Sequence, residues 1–407
     1  MSLTKLNQAL ESEIAQLEEE GRAKAPERVI VDYIPPKDQW GPRYKLQDSN
    51  QEFIRLNSNS YLSLSNHPDL IEAADEATEQ FGVGPGAVRF IDGTFKYHTE
   101  LERSLAQFVQ KPAAKIFNSA YTANLGLALT INRDRTYWIG DELNHNSIIR
   151  AMRIGKVPSE NKGIYSHNDM DGYRECLSSV PSEMERVIVI FDGIFSMRGD
   201  YAPIDEIVAI ASEYDEKFKD GVITVVDDSH GIGAYGPNGR GTADFTDTQP
   251  DIIVGTMGKA FGVNGGFIAG SESLIEAARQ KADTYIYTNP LSQADCAAAI
   301  QAVEIASGKE GRQRLQSLKD RTQQFRDGLE SLGFETINGP HPIVPLVVRD
   351  TERTHSMVSR LFEKGVLVVG LTFPVVPRGD ETIRFQISAA HTEADIDYVL
   401  GVLGEFA

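Results

Sequence analysis

Short apolar runs that end in small or polar residues place the strongest constraint on how this chain folds. The clearest runs are VIVIFDG (187–193), VITVVDD (222–228) and DIIVGTM (251–257). Between the first two lies the segment 202–218, whose apolar residues recur at helical spacing. A strand, a helix and a second strand in this order predict a right-handed crossover within a parallel sheet. Weaker strand candidates in the same series are 114–119 and 136–142.

The chain changes in character after about residue 295. A charged, helical stretch (296–332) is followed by short strand patterns that alternate with helical ones. A length of 407 residues favours more than one domain. We therefore expect an N-terminal helical arm and linker (1–58), a large domain that contains the strand series (59–295) and a small C-terminal α+β domain (296–407).

The N-terminal segment is typical of an amphipathic helix. Leu6, Leu10, Ile14 and Leu17 recur at helical spacing, and the segment lacks the basic-then-apolar order of a signal peptide. We expect this helix to pack as an arm on a neighbouring subunit.

Composition argues against several classes of protein. The formal net charge of −19 disfavours a general binder of nucleic acid, although a few arginines can still form a local anion pocket. No apolar run approaches the roughly 20 residues of a membrane span, so none is expected. Cys176 and Cys296 are far apart and lack the spacing of a metal site, so we expect no metal. Free thiols fit a reducing, cytoplasmic location.

Three polar residues follow two neighbouring strands of the predicted sheet. Ligands of open parallel sheets bind beyond the carboxyl ends of the strands. Asp227 and His230 follow one apolar strand, and Lys259 follows the next within the glycine-rich stretch GTMGKAFGVNGG. An isolated Gly-Lys or Asp-Asp pair is more often a solvated turn. A carboxylate that an apolar strand brings into the interior, however, needs a cationic or hydrogen-bonding partner, so these residues are expected to share one crevice.

Pyridoxal 5′-phosphate is a cofactor whose chemistry matches this trio. Asp227 would hold its protonated ring nitrogen, His230 would bind near its ring oxygen, and Lys259 would form a Schiff base with its aldehyde. The helix start within NSAYTANLGLAL (118–129) offers backbone N–H groups for the phosphate. His145, at another strand-to-helix junction, offers an imidazole face for the ring.

Longer motifs that span nearly the whole chain resemble those of the α-oxoamine synthases. These motifs are NSYLSLSNHPDL, AVRFIDGTFKYHTELE, DELNHNSII, DGIFSMRGD, VVDDSHGIG, GTMGKA and FPVVPRGDETIRFQISAAHT. The resemblance implies the fold-type-I architecture of pyridoxal-phosphate-dependent transferases, an α/β fold. In it a mostly parallel seven-stranded sheet lies between helices in the large domain, and a smaller α+β domain follows.

The same resemblance implies a role for each matching residue. Lys259, Asp227, His230 and His145 match the catalytic residues that contact the cofactor. The phosphate would be held by Ser119, Ala120, Tyr121 and Thr256, with Thr288 reaching the phosphate of the neighbouring subunit. Ser196 matches a serine close to the cofactor, although a helix cap is the simpler alternative. Arg384 would bind the substrate carboxylate with Asn59 nearby, where a surface arginine and a turn asparagine are the alternatives.

The implied reaction is the condensation of a small amino acid with an acyl-CoA. Glycine is expected first, with acetyl-CoA or a longer donor, giving free CoA and an α-amino ketone or a 2-amino-3-keto acid. Condensation of alanine with a longer acyl-CoA is the alternative, and another fold-type-I reaction stays open. The family also implies a homodimer with shared active sites.

Overall fold

The computed structural model describes residues 2–407. Within them the structure has fourteen α-helices. The helices are α1 (Ser2–Glu19), α2 (Pro68–Phe81), α3 (Lys96–Phe108), α4 (Ala120–Ile131), α5 (Asn146–Ile154), α6 (Met170–Ser178), α7 (Ile204–Tyr214), α8 (Thr242–Phe245), α9 (Glu272–Lys281), α10 (Asp283–Ile286), α11 (Gln293–Ser307), α12 (Lys309–Ser331), α13 (Thr351–Glu363) and α14 (Glu393–Leu403).

The same residues form fourteen strands in three sheets. The strands are β1 (Ile30–Ile34), β2 (Arg43–Leu46), β3 (Glu52–Arg55), β4 (Ala113–Phe117), β5 (Thr136–Asp141), β6 (Lys162–Tyr165), β7 (Arg186–Asp192), β8 (Val222–Asp227), β9 (Ile252–Thr256), β10 (Gly266–Gly270), β11 (Ile343–Val347), β12 (Val366–Leu367), β13 (Val369–Leu371) and β14 (Thr382–Gln386).

The central sheet has seven strands in the order β4-β10-β9-β8-β7-β5-β6. Only β10 runs antiparallel to its neighbours. Strands β7 and β8 are buried along almost their whole length, because helices cover both faces of the sheet. The predicted α/β architecture with a mostly parallel seven-stranded sheet is therefore confirmed.

The register of the sheet brings the strand ends to one edge. Asp192, the last residue of β7, lies opposite Asp227, the last residue of β8. Helices α4 and α5 begin a few residues after β4 and β5, at the same edge. The residues that follow the parallel strands therefore converge on one crevice.

The N-terminal segment beyond α1 is not a simple linker. Strands β1, β2 and β3 form an antiparallel meander, and β3 pairs in parallel with β12 near the C-terminus. This pairing joins residues more than 300 positions apart, which local sequence patterns do not encode. A second small sheet, β11-β14-β13, packs with α12 and α13. The domain boundaries at 58 and 295 themselves stay predictions.

No helix between residues 2 and 407 combines the length and apolar character needed to cross a membrane. Helix α1 is exposed over the residues whose side chains are described, and its apolar residues Leu6, Leu10, Ile14 and Leu17 all face solvent.

Candidate active site

A cavity of about 230 Å³ lies at the carboxyl edge of the central sheet. The residues that line it are Ser119, Ala120, Tyr121, His145, Ser147, Asp192, Ile194, Ser196, Asp227, Ser229, His230, Thr256 and Lys259. Nine of the twelve site residues named from the sequence are among them. The structure thus brings most of the predicted residues around one space, as the sheet topology requires.

Lys259 follows β9, and its partly buried side chain lies at the wall of the cavity. Burial disfavours the ammonium form and lowers the pKa of Lys259 to about 8, although the nearby charges of Asp227 and Asp192 act in the opposite direction. About half of the amine is therefore unprotonated at pH 8. Such an amine can act as a nucleophile or as a base.

The carboxylate of Asp227 is held in place through both of its oxygens. Asn124 Nδ2 donates to Oδ2 over 2.6 Å, and Ser229 Oγ donates to Oδ1 over 2.5 Å. The residue is only 4% exposed. Because hydrogen bonds to an ionised group favour its charged form, the two donors suit a carboxylate that faces a cationic partner.

Two histidines flank the cavity as neutral imidazoles. Burial lowers the pKa of His145, and burial together with the charge of Lys259 lowers the pKa of His230 well below its usual range. His230 Nδ1 shares a hydrogen bond of 2.8 Å with the hydroxyl of Tyr61. His145 caps the amino end of α5 and pairs with Ser147 Oγ over 2.8 Å. Each ring is fixed by its own partner.

Asp192 is a cavity residue that sequence reasoning missed. It accepts a hydrogen bond from the backbone N–H of His145 over 2.8 Å, and burial, reinforced by the charge of Asp227, raises its pKa well above the usual range. The signal was present in the sequence, since two adjacent parallel strands both end in aspartate. Asn124, Ser147 and Ser229 were also missed, because an isolated polar residue in a helix or a turn carries no distinctive pattern.

The amino end of α4 forms a cradle with the right donors for a phosphate. Ser119 caps the helix, and Ala120 and Tyr121 supply the first helical N–H groups, which have no partner within a helix. Gly266 of β10 lies directly against this turn: a Cβ at this position would overlap the Ala120 nitrogen. Thr256 Oγ1 lies at the cavity wall and donates to the Gly265 carbonyl. The cradle and the Asp227 carboxylate together fit pyridoxal phosphate.

Arg384 and Asn59 lie beside the cavity rather than in its wall. Arg384 Nη1 donates to the Ser196 carbonyl over 2.7 Å, while its buried Nε has no hydrogen-bond partner among residues 2–407. Asn59 Oδ1 accepts from Gln386 Nε2. A partly buried guanidinium with a free N–H edge is suited to bind a carboxylate.

Thr288 lies outside the cavity. It accepts a hydrogen bond from Asn118 Nδ2 over 3.3 Å at the surface next to Tyr287, which is 75% exposed. Within one subunit this threonine does not line the cavity beside the phosphate cradle. The expectation that it serves the neighbouring subunit therefore stays a prediction.

Known proteins with similar sequences match along most of the chain. The family described as aminotransferase class I and II matches residues 51–403. An 8-amino-7-oxononanoate synthase of Thermosipho melanesiensis is 39% identical over 86% of this chain and 87% of the relative. The mitochondrial 2-amino-3-ketobutyrate coenzyme A ligase of Homo sapiens is 36% identical over 97% of this chain and 91% of the relative.

Solved structures with the same fold match over nearly the full length. A serine palmitoyltransferase from S. paucimobilis has a TM-score of 0.85 and 29% sequence identity, covering 99% of this chain and 97% of that chain. The serine palmitoyltransferase of Sphingomonas wittichii has a TM-score of 0.86 and 25% identity over the same shares. The S. paucimobilis structure contains pyridoxal phosphate.

Proposed function

We propose that this chain condenses a small amino acid with an acyl-CoA. The chain belongs to the class I and II aminotransferase family and within it to the α-oxoamine synthases. The observation that carries this proposal is the amine of Lys259, which shares one cavity with Asp227, His145 and His230. Arg384 lies next to that cavity with a free N–H edge.

Pyridoxal phosphate is the cofactor, and when bound it supplies an aldehyde that links to amines and a protonated ring that withdraws electrons. The Asp227 carboxylate would hold the proton on the ring nitrogen, since Asn124 and Ser229 keep it oriented. The N–H groups of Ala120 and Tyr121 would bind the phosphate. His145 would lie against the ring, and His230 would lie near the ring oxygen.

Lys259 would remove the proton from the α-carbon of the bound amino acid. A general base is most effective when its pKa lies near the working pH, and burial brings the pKa of Lys259 to about 8. The carbon freed of its proton would attack the thioester carbonyl, and CoA would leave as its thiol. His145 and Ser196, which line the cavity, would donate hydrogen bonds to the acyl oxygen as charge develops there.

Arg384 would bind the carboxylate of the amino acid. Its Nη1 is anchored on the Ser196 carbonyl, which leaves Nε and Nη2 as a fork for two carboxylate oxygens. Asn59 would complete this end of the site. Because the carboxylate is bound at Arg384, the distance from the α-carbon to Lys259 would be fixed, and this distance controls the geometry of proton removal.

Glycine is the amino acid we propose first. The similarity to the human 2-amino-3-ketobutyrate coenzyme A ligase favours this choice, because 2-amino-3-ketobutyrate is the condensation product of glycine and an acetyl group. Alanine with a longer acyl-CoA is the second candidate, favoured by the 38–39% identity to several 8-amino-7-oxononanoate synthases. The product would be a 2-amino-3-keto acid or, after loss of CO₂, an α-amino ketone.

We also propose a homodimer that shares its active sites. The apolar side chains of α1 are exposed, and Tyr287 is largely exposed next to Thr288, so both regions suit contact with a second copy. Tyr287→Asp should weaken the dimer in analytical ultracentrifugation and lower cofactor affinity, whereas Tyr398→Asp, on another half-exposed surface, should do neither. We also propose a cytoplasmic location, because Cys176 and Cys296 are free thiols.

The decisive experiment measures release of CoA thiol by the purified protein. Glycine, alanine and serine are each paired with short, medium and long acyl-CoA donors, with Lys259→Ala as the control. Release that depends on one amino acid and disappears in the control supports the proposal and identifies the substrates. If no pair releases thiol while the protein still holds its cofactor, the chain catalyses another fold-type-I reaction.

A further inference from the structure

His167 lies outside the cavity and faces a carboxylate with each ring nitrogen. Nδ1 is 3.2 Å from both oxygens of Asp141, and Nε2 is 3.1 Å from Oδ2 of Asp200. Carboxylates accept but do not donate when ionised, so both ring nitrogens carry a proton in this arrangement. The side chains of His167, Asp141 and Asp200 are 15%, 0% and 19% exposed. The histidine is therefore an enclosed cation between two anions.

The two carboxylates belong to the loops that follow two different strands. Asp141 ends β5 and also accepts from the backbone N–H groups of Leu143 and Asn168. These contacts shape the turn that leads to His145. Asp200 lies in the loop after β7, where its carbonyl accepts from the Phe195 N–H over 3.0 Å.

The His167 ring also packs on the loop after β7. Its edge meets the Phe195 ring with a centroid distance of 4.4 Å at 81°. Ser196 follows Phe195, and its carbonyl is the anchor of Arg384 Nη1. A continuous set of contacts therefore runs from His167 through Phe195 and Ser196 to the substrate arginine.

We propose that His167 is a positioning residue for the condensation reaction. As an imidazolium it ties the turn before His145 to the loop that carries Ser196, and so it fixes the direction of the Arg384 fork. This inference rests on the proposed role of Arg384 in binding the substrate carboxylate. His167 itself touches neither cofactor nor substrate.

The groups around His167 favour its charged form. Asp141, at the end of β5, faces the ring, and Glu142 accepts from the backbone N–H of His167. Tyr165 ends β6 two residues earlier, and Asp200 lies opposite with Arg198 paired to the same carboxylate. Burial opposes the charge, but the hydrogen bonds to Asp141 and Asp200 outweigh burial and raise the pKa of His167 to about 9. The link is then complete at neutral pH and is lost above pH 9.

Loss of the charge should weaken amino-acid binding more than turnover. His167→Gln should raise the KM for the amino acid about tenfold, the order expected when one charge-assisted hydrogen bond is lost, with the KM for acyl-CoA unchanged. His167→Lys retains a cation that does not titrate near pH 9, so it should restore most of the affinity. In this variant the affinity for the amino acid should also lose the part of its pH dependence that arises from the titration of His167.

The first measurement is an NMR titration of the holoenzyme carrying ¹³C-labelled histidine, assigned by comparison with His167→Gln. A resonance that titrates near pH 9, and that moves at least one pH unit lower in Asp200→Asn, supports the ion-paired state. A midpoint at or below 7 overturns the proposal. Asp200→Asn removes one of two partners near the surface, so it remains informative if His167→Gln fails to fold.

The second measurement is the affinity for the amino acid, followed by cofactor absorbance from pH 7 to 10 in the wild type and in His167→Lys. The substrate amine titrates equally in both proteins, so a wild-type affinity that falls more steeply near pH 9 supports positioning. Equal curves overturn it, even if the histidine titrates near 9. Failure of the proposed function would instead appear as bound amino acid without CoA release, which leaves both measurements readable.

Discussion

Gly266 provides a direct test of how the phosphate cradle is built. The residue begins β10, where it pairs with Phe117 of β4 and Thr256 of β9. A Cβ on this glycine would overlap the backbone of Ser119 and Ala120 at the start of α4. Because the obstructing atoms are backbone, the contact cannot be relieved by turning a side chain. Gly266→Ala must therefore shift either β10 or the amino end of α4.

The size of the effect follows from what the shift disrupts. Overpacking of a well-packed interior costs about 1–3 kcal/mol of folding free energy. Displacement of one phosphate-binding N–H would remove a hydrogen bond to a charged group, worth about 1.5–3 kcal/mol. Such a loss corresponds to a dissociation constant for pyridoxal phosphate that is roughly 10- to 150-fold higher.

Gly258→Ala is the matched control. A Cβ at this position would lie 3.4 Å from Thr256 Oγ1 and 3.8 Å from the Val263 carbonyl, which are ordinary contacts. Both variants add one methyl group near the same cavity, but only one presses on the cradle. Cofactor affinity is measured by absorbance after equilibrium dialysis, and folding by urea denaturation of the cofactor-free proteins. Wild-type affinity in Gly266→Ala would refute the assignment of the α4 turn to the phosphate.

Three further predictions concern the groups that face the cavity. Ser229→Ala removes the 2.5 Å hydrogen bond to Asp227 and should lower kcat by at least about tenfold, measured by CoA release at saturating substrate. Arg384→Lys loses the two-pronged geometry of the guanidinium and should raise the KM for the amino acid about 10- to 100-fold without changing that for acyl-CoA. Lys259 has its pKa lowered by burial to about 8, so the unfolded chain binds more protons between about pH 8 and 10.5. The unfolding free energy of the cofactor-free protein, relative to Lys259→Met, should therefore rise with pH over this range by at most about 3 kcal/mol, measured by urea denaturation at pH 7.5 and 10.

Much of the central sheet could be predicted because its parallel strands are buried on both faces. Such strands appear as continuous apolar runs, and the runs in the sequence match the strands ending at Asp192, Asp227 and Thr256 to within a few residues. The tendency of ligands to bind at the carboxyl edge then groups Asp227, His230 and Lys259 from the sequence alone. Prediction failed where pairing is nonlocal, as for β3 with β12, since neither strand's pattern identifies its partner.

The site residues that sequence patterns did not reveal were missed for a different reason. Asn124 lies within the apolar pattern of α4, and Ser229 lies one residue beyond the Asp-Asp pair, so each looks like an ordinary helix or turn residue. Their importance comes from the three-dimensional convergence of α4 and β8 on one carboxylate. Sequence patterns identify residues that carry chemistry, but the residues that orient them are identified only by geometry.

The residues proposed to bind the cofactor and the arginine proposed to bind the amino acid differ in their hydrogen bonds. Asp227 has partners on both oxygens, and His230 and His145 each have a partner that fixes the ring, so this part of the site is arranged before any ligand binds. Arg384 Nε, by contrast, is buried with no hydrogen-bond partner in the described part of the chain. An unsatisfied buried donor costs free energy, and a bound carboxylate would remove that cost. The protein thus prearranges the residues proposed for the cofactor and leaves open the group proposed for the amino acid, so the substrate's own binding completes the site.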